Sequence, residues 1–126
     1  MVGLVVVSHS GKAADGIVEV AAEMGGDTPI EAAGGDGDGV IGTNVDRISD
    51  ALAAADDGDG VVVLVDLGSA VMNAEVAIEM HYGEAVIADS PVLEGAVNAA
   101  VAATDPNATL ESVVEQAEAA ADIDKT

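Results

Sequence analysis

The chain has 126 residues, half of them apolar, and its 24 acidic side chains against 3 basic ones give a formal charge of −21. That length supports one domain with a real core. The charge excludes nucleic-acid binding through Lys and Arg contacts to phosphate, and the absence of cysteine excludes disulfides, thiolate metal sites and thiol catalysis.

Along the chain, Val2–Val7 is a continuous aliphatic run, the pattern of a strand buried on both faces. Ala13–Met24 follows with Ile17, Val20, Ala21 and Met24 on one helical face. A short apolar run at Pro29–Ala32 reads as a second strand, and Gly34–Gly42 ("GGDGDGVIG") as a surface loop. Asn44–Ala55 offers Val45, Ile48 and Leu52 at helical spacing. Val61–Val65 is a third strand, Ala70–Met80 a third helix and Ala85–Ala88 a short fourth strand. Pro91–Ala103 opens on a proline suited to a first helical turn. The last helix, Leu110–Ala121, follows Thr109 as its N-cap.

Alternating strands and helices of this length predict an α/β, doubly wound, mostly parallel four-stranded sheet with helices on both faces. The expected strand order is 2-1-3-4, with residues 1–126 forming one domain. No apolar run is long enough to span a bilayer. No basic, apolar leader opens the chain, so a cytoplasmic protein is expected. Acidic chains poor in aromatics often fail to fold, yet here the apolar residues fall in periodic blocks. The charge is read instead as adaptation to high salt, where the screening length shrinks to about 3 Å and carboxylates barely repel one another.

Ligands of such sheets bind beyond the carboxyl ends of the strands, where strand order reverses. In a 2-1-3-4 sheet that point lies between strands 1 and 3, which end on His9 and Asp66. A carboxylate that accepts one ring N–H fixes the tautomer of an imidazole and stabilises the cation formed when the other nitrogen attacks. The helix start at Ser10, Gly11 and Lys12 supplies free amides and one positive charge for an anion. The joint placement describes a phosphohistidine site with His9 and Asp66 as its chemical pair. A lone histidine at a strand end is more often an ordinary loop residue, and Asp66 alone would serve as a helix cap. His81, beside a glycine stop at the end of the third helix, reads as structural.

Two motifs are set aside. Gly37-Asp38-Gly39-Val40-Ile41-Gly42 matches a dinucleotide fingerprint by letter, but it follows the second strand, and Asp36 and Asp38 would repel a pyrophosphate. Asp56, Asp57 and Asp59 suggest calcium but lack the later glutamate of an EF-hand. No G-x-S-x-G elbow is present.

The ordered segments "LVVVSHSGKAADG", "GVIGTNVDRI", "VLVDLGSAVMNAE", "PVLEGAVNAAVAA" and "ADIDK" resemble the phosphoryl-carrier subunits of phosphoenolpyruvate-dependent dihydroxyacetone kinases, a branch of the mannose-type enzyme IIA family. The resemblance covers nearly the whole chain. It implies a phosphoenolpyruvate–glycerone phosphotransferase component in which His9 receives a phosphoryl group from a histidine phosphocarrier protein. The group would pass to ADP on the kinase's L subunit, and the ATP formed would phosphorylate dihydroxyacetone held on the K subunit. It further implies Asp66 as the ring-orienting carboxylate, the distal nitrogen as the phosphorylated one, Gly68, Ser69 and Ala70 lining the site, and Ile41, Gly42 and Thr43 bordering it. Neither a metal nor a cofactor is called for. A homodimer is implied, with apolar surface on the Ala70–Met80 helix and the fourth strand.

Some relatives carry further phosphocarrier domains behind this one, which the chain, ending at Thr126, would obtain from separate proteins. The sequence leaves two rival readings. A sugar-uptake enzyme IIA usually shows a Gly-Thr/Ser-Pro-Phe stretch where this chain has "DLGSAVMNA". A receiver-like regulatory domain phosphorylated on Asp66 needs an acidic pair after strand 1, where Ser8, His9 and Ser10 stand.

Overall fold

A computed structural model describes residues Met1–Thr126. Strands β1 (Gly3–Ser8), β2 (Ile30–Gly34), β3 (Val61–Val65) and β4 (Ala85–Ile87) alternate with helices α1 (Gly11–Met24), α2 (Val45–Ala55) and α3 (Ser69–Met80), followed by α4 (Val92–Ala103) and α5 (Leu110–Ala119). The sheet runs β2-β1-β3-β4 and every pairing is parallel. The order expected from the alternation of patterns is the order found.

Side chains of successive strand residues point to opposite faces, and the two halves of the core follow that rule. Val2, Leu4, Val6, Val62 and Leu64 pack under α1, α4 and α5 with Ala96, Ala99, Ala100 and Val113. Val5, Val7, Val61 and Val63 pack on the other face against Ile48, Leu52, Ala70, Ala74 and Ala77 of α2 and α3. With no Phe or Trp in the chain, the largest fully buried side chains are Leu4, Ile48, Leu52 and Leu64. Small residues on the helices let them lie close to the sheet, so density is kept without aromatic bulk.

Several boundaries differ from the sequence reading in ways the caps explain. Helix α1 starts at Gly11 rather than Ala13, because the Ser10 hydroxyl accepts from the Ala13 amide at 3.1 Å and closes the first turn. Pro91 stands at the N-cap position and α4 begins at Val92. Strand β4 stops at Ile87. The last helix ends at Ala119 and tightens into a 3-10 turn over Ala120–Asp122. At its start Thr109 and Ser112 form a reciprocal capping box. No helix is long and apolar enough to cross a membrane.

Two close approaches position the sheet's carboxyl edge. A Cβ on Gly34 would lie 2.6 Å from the Ser10 carbonyl oxygen and 2.8 Å from the Gly11 Cα, so only glycine lets the end of β2 pass the start of α1. The loop after β2 then reaches back to β1, where the Gly35 amide donates to the Ser8 carbonyl at 3.1 Å and the Gly42 amide to the His9 carbonyl at 2.9 Å.

Candidate functional site

Parallel pairing carries β1 and β3 out side by side in register, Val7 opposite Val65, so the next residues of each strand meet at the carboxyl edge. The Asp66 amide donates to the Val7 carbonyl at 3.1 Å, which continues the ladder one step and turns the Asp66 side chain toward His9. There Asp66 Oδ1 lies 3.0 Å from His9 Nδ1, and Oδ2 accepts from the His9 amide at 3.0 Å. Both side chains are about one-fifth exposed, so the ring is held yet reachable.

The carboxylate has four donors in all. Ser8 Oγ donates to Oδ2 at 2.9 Å and the Leu67 amide to Oδ1 at 2.8 Å. Burial pushes the Asp66 carboxyl up, but the His9 amide, the His9 ring, Ser8 and Leu67 together outweigh it and hold the group below the usual carboxylate range. An ionised carboxylate only accepts, so His9 Nδ1 carries the ring proton and Nε2 the lone pair.

That lone pair is met by Ser69 Oγ at 2.8 Å. Ser69 is the first residue of α3, whose N-cap is Gly68 with no side-chain cap. Asp66, weighed from sequence as a cap for this helix, binds His9 instead. The amides of Gly68 and Ser69 donate to nothing else in the protein, so His9 Nε2 faces a helix start with orphan donors.

Ala70, implied as lining the site, is instead fully buried in the core between α3 and the sheet, and the other sequence-named residues divide into two groups. Gly42 is tied to the His9 carbonyl, and Thr43 Oγ1 accepts from Asn73 Nδ2 of α3 at 2.6 Å, which fastens the β2–α2 loop over the site. Ser10, Gly11 and Lys12 line a neighbouring cavity of about 400 Å³ together with Gly34, Gly35, Gly37, Gly39 and Arg47. The Ser10 amide is already used by Ser8 Oγ at 3.1 Å, so it is not free to hold an anion beside the ring.

Sequence reasoning missed Ser8, Asn73 and Arg47. Ser8 was visible as the first serine of S-H-S, and Arg47 as one of only 3 basic residues; nothing in the sequence marked Asn73. Of the motifs set aside, Asp57 and Asp59 accept from the Met1 amino group at 3.0 and 2.7 Å. His81, the C-cap of α3, meets Asp56 Oδ2 through Nε2 at 2.7 Å.

Residues 3–116 match the family described as EIIA-man, the PTS system fructose IIA component. The chain is 42% identical over 106 residues to the phosphoryl donor subunit DhaM of PEP-dependent dihydroxyacetone kinase 2 from Listeria innocua, covering 80% of this chain and 85% of that one. It is 37% identical over 116 residues to the phosphotransferase subunit DhaM of the PTS-dependent dihydroxyacetone kinase from Lactococcus lactis, covering 92% and 93%. Against the DhaM of Providencia stuartii the identity is 34% over 95% of this chain, which spans 27% of that longer protein. The crystal structure of EF1359, a protein of unknown function, superposes with a TM-score of 0.80 at 31% identity, over 94% of each chain. By its match over nearly all of its length and the fold it shares, the chain belongs to the mannose-type enzyme IIA family of the phosphotransferase system.

Proposed function

We propose that the chain is a phosphohistidine carrier, the phosphotransferase component of a phosphoenolpyruvate-dependent dihydroxyacetone kinase. One observation carries this reading. The His9 ring is gripped at Nδ1 by a four-donor carboxylate and its Nε2 meets Ser69 Oγ at the start of α3, where the Gly68 and Ser69 amides have no acceptor.

In the first half-reaction the Nε2 lone pair attacks the phosphorus of a histidine phosphocarrier protein's phosphoryl group. An N–P bond forms on His9 as the donor's N–P bond breaks, and the donor ring recovers that electron pair. Nδ1 keeps its proton throughout, so the His9 ring becomes a cation beside the Asp66 carboxylate. Ser69 Oγ must first rotate off Nε2; it then donates to a phosphoryl oxygen, with the Gly68 and Ser69 amides as further donors. In the second half-reaction the group moves to the terminal phosphate of ADP on the kinase's L subunit, and the ATP serves dihydroxyacetone on the K subunit. The names borne by the Listeria and Lactococcus relatives support a dihydroxyacetone kinase as the enzyme this transfer serves.

The rivals are weakened on specific grounds. A receiver reading needs Asp66 free to form an acyl phosphate, whereas both of its oxygens are engaged. A sugar-uptake role is distinguished by which acceptor drains the phosphate, an ADP-loaded L subunit or an enzyme IIB domain. His9→Ala should receive no phosphoryl group from phosphoenolpyruvate and the general carrier proteins. Charging of that variant at the parent rate would refute the proposal.

The assembly is proposed as a cytoplasmic homodimer working in glycerol-derived metabolism at high salt. Met72, Val76 and Met80 lie one turn apart on α3 at 73%, 41% and 60% exposure, beside β4, the strand at one edge of the sheet. Such a stripe on a chain of charge −21 is costly to leave in water. Sedimentation in molar salt should give twice the chain mass.

A further inference from the structure

Three basic side chains exist in the whole chain, Lys12, Arg47 and Lys125. Lys125 pairs with Glu94 near the C-terminus. Lys12 and Arg47, 35 residues apart in sequence, line one cavity of about 400 Å³ and neither is in a salt bridge. Arg47 is oriented there by its Nε, which donates to the Gly34 carbonyl at 3.1 Å and leaves the terminal guanidinium nitrogens unspent.

The backbone of the cavity has the same polarity. The amides of Gly11, Lys12, Gly37 and Gly39 donate to nothing in the protein. Gly35, Gly37 and Gly39 hold positive φ of 72°, 99° and 82°, which a side chain would strain. Asp36, expected from sequence to repel a phosphate, keeps its charge, held below the usual carboxylate range first by the Asp38 and Val40 amides, which donate to Oδ1 at 2.8 and 3.1 Å, and also by Arg47, but it is turned onto its own loop. Neither Asp36 nor Asp38 lines the cavity. The lining also includes Ser10, the residue next to His9.

We infer that the Lys12–Arg47 cavity binds the phosphate groups of a nucleoside diphosphate carried by the acceptor protein, beside the phosphorylated His9. This rests on the carrier reading above and assigns it a second anion subsite. The two half-reactions differ in what they leave to be neutralised. A phosphohistidine donor brings one phosphoryl group, which ends on His9. A nucleoside diphosphate brings the attacking terminal phosphate and a second phosphate behind it, and both must approach a chain of charge −21. At molar salt, attraction acts only over about 3 Å, so cations must touch those oxygens directly. In the transfer, an oxygen of the terminal phosphate forms the new O–P bond as the His9 N–P bond breaks. The electron pair returns to Nε2, Nδ1 keeps its proton, and the ring leaves neutral.

The test uses the full chain with Lys12→Gln, Arg47→Gln and both together, with Lys125→Gln as the control for net charge. Charging by the histidine phosphocarrier protein and discharge to the ADP-loaded L subunit are timed separately at one salt concentration. The double variant should charge within about twofold of the parent, while its KM for the loaded acceptor rises about fivefold or more. Arg47→Lys should restore part of the loss, and Lys125→Gln should leave both halves unchanged. A smaller rise, an equal loss in both half-reactions, or the same loss in Lys125→Gln would overturn the inference. Failure of the carrier reading shows differently, as charging that survives His9→Ala.

Discussion

Both histidines of this chain are paired with an aspartate, and only one pair is built for chemistry. His9–Asp66 sits at the carboxyl edge of the sheet and His81–Asp56 at the opposite end, where α3 finishes and β3 has yet to begin. The distances, 3.0 and 2.7 Å, do not separate them. The surroundings do. Asp66 grips Nδ1 and takes three further hydrogen bonds, which leaves Nε2 pointing at the start of α3. Asp56 grips Nε2, its other donor is the Gly58 amide, and His81 caps a helix end where carbonyls, not amides, are orphaned. A phosphoryl group is stabilised by a helix start and repelled by a helix end. The position of an imidazole between helix poles decides more than the carboxylate beside it.

The sharpest way to break this contrast is to exchange the losses. His9→Ala should abolish phosphoryl acceptance, whereas His81→Ala should leave it within about twofold and act on stability alone. Loss of acceptance in the His81 variant would show that the wrong imidazole has been placed at the centre.

Next in size is the carboxylate. Asp66→Asn keeps the shape but no longer fixes the ring proton on Nδ1, and transfer should fall about 100-fold or more. Asp56→Asn should leave the transfer rate alone. It should lower stability by roughly 1–3 kcal/mol, because it weakens a mostly buried contact to His81. Thermal melts of the two variants, set beside their transfer rates, separate the roles.

The pH dependence sharpens the same contrast. Asp66 is held below its ordinary value of 3.8. A carboxyl depressed by folding adds stability that is present above the ordinary value and lost as pH falls through the folded one. The stability gap between the parent and Asp66→Asn should therefore stay constant above about pH 5 and close below about pH 3.8. A gap that closed near neutrality would mean the carboxylate is not held as its four donors require. Asp56 is depressed as well, first by the Gly58 amide and then by His81, so its variant should show the same form.

The smallest expected effect is at the hydroxyl. Ser69→Ala removes both the cover on Nε2 and one donor to a bound phosphoryl group. These losses act in opposite directions on attack, and transfer should fall about tenfold or less. An increase in rate would mean that Ser69 only blocks the ring.

The fold was legible because parallel strands buried on both faces must read as unbroken aliphatic runs, and Val2–Val7 and Val61–Val65 do. The strand order that these runs imply is enough to place His9 beside Asp66. What stayed hidden depends on contacts between distant segments. The Asn73–Thr43 bond joins α3 to a loop 30 residues away. Ser10, Gly11 and Lys12 were expected around the ring, but Ser8 takes the Ser10 amide and the close passage of Gly34 forms a separate cavity. The aspartates of the glycine loop read as facing any ligand of that loop, because a sequence does not show that Asp36 turns onto its own loop and that neither aspartate lines the cavity.

The central claim is tested most directly by charging the chain from phosphoenolpyruvate through the general carrier proteins and locating the modified residue by peptide mapping and acid and alkali treatment. A single phosphoryl group on His9, lost in acid and stable in base, is the predicted result. A base-labile phosphate on Asp66, or a phosphoryl group on His81, would contradict it.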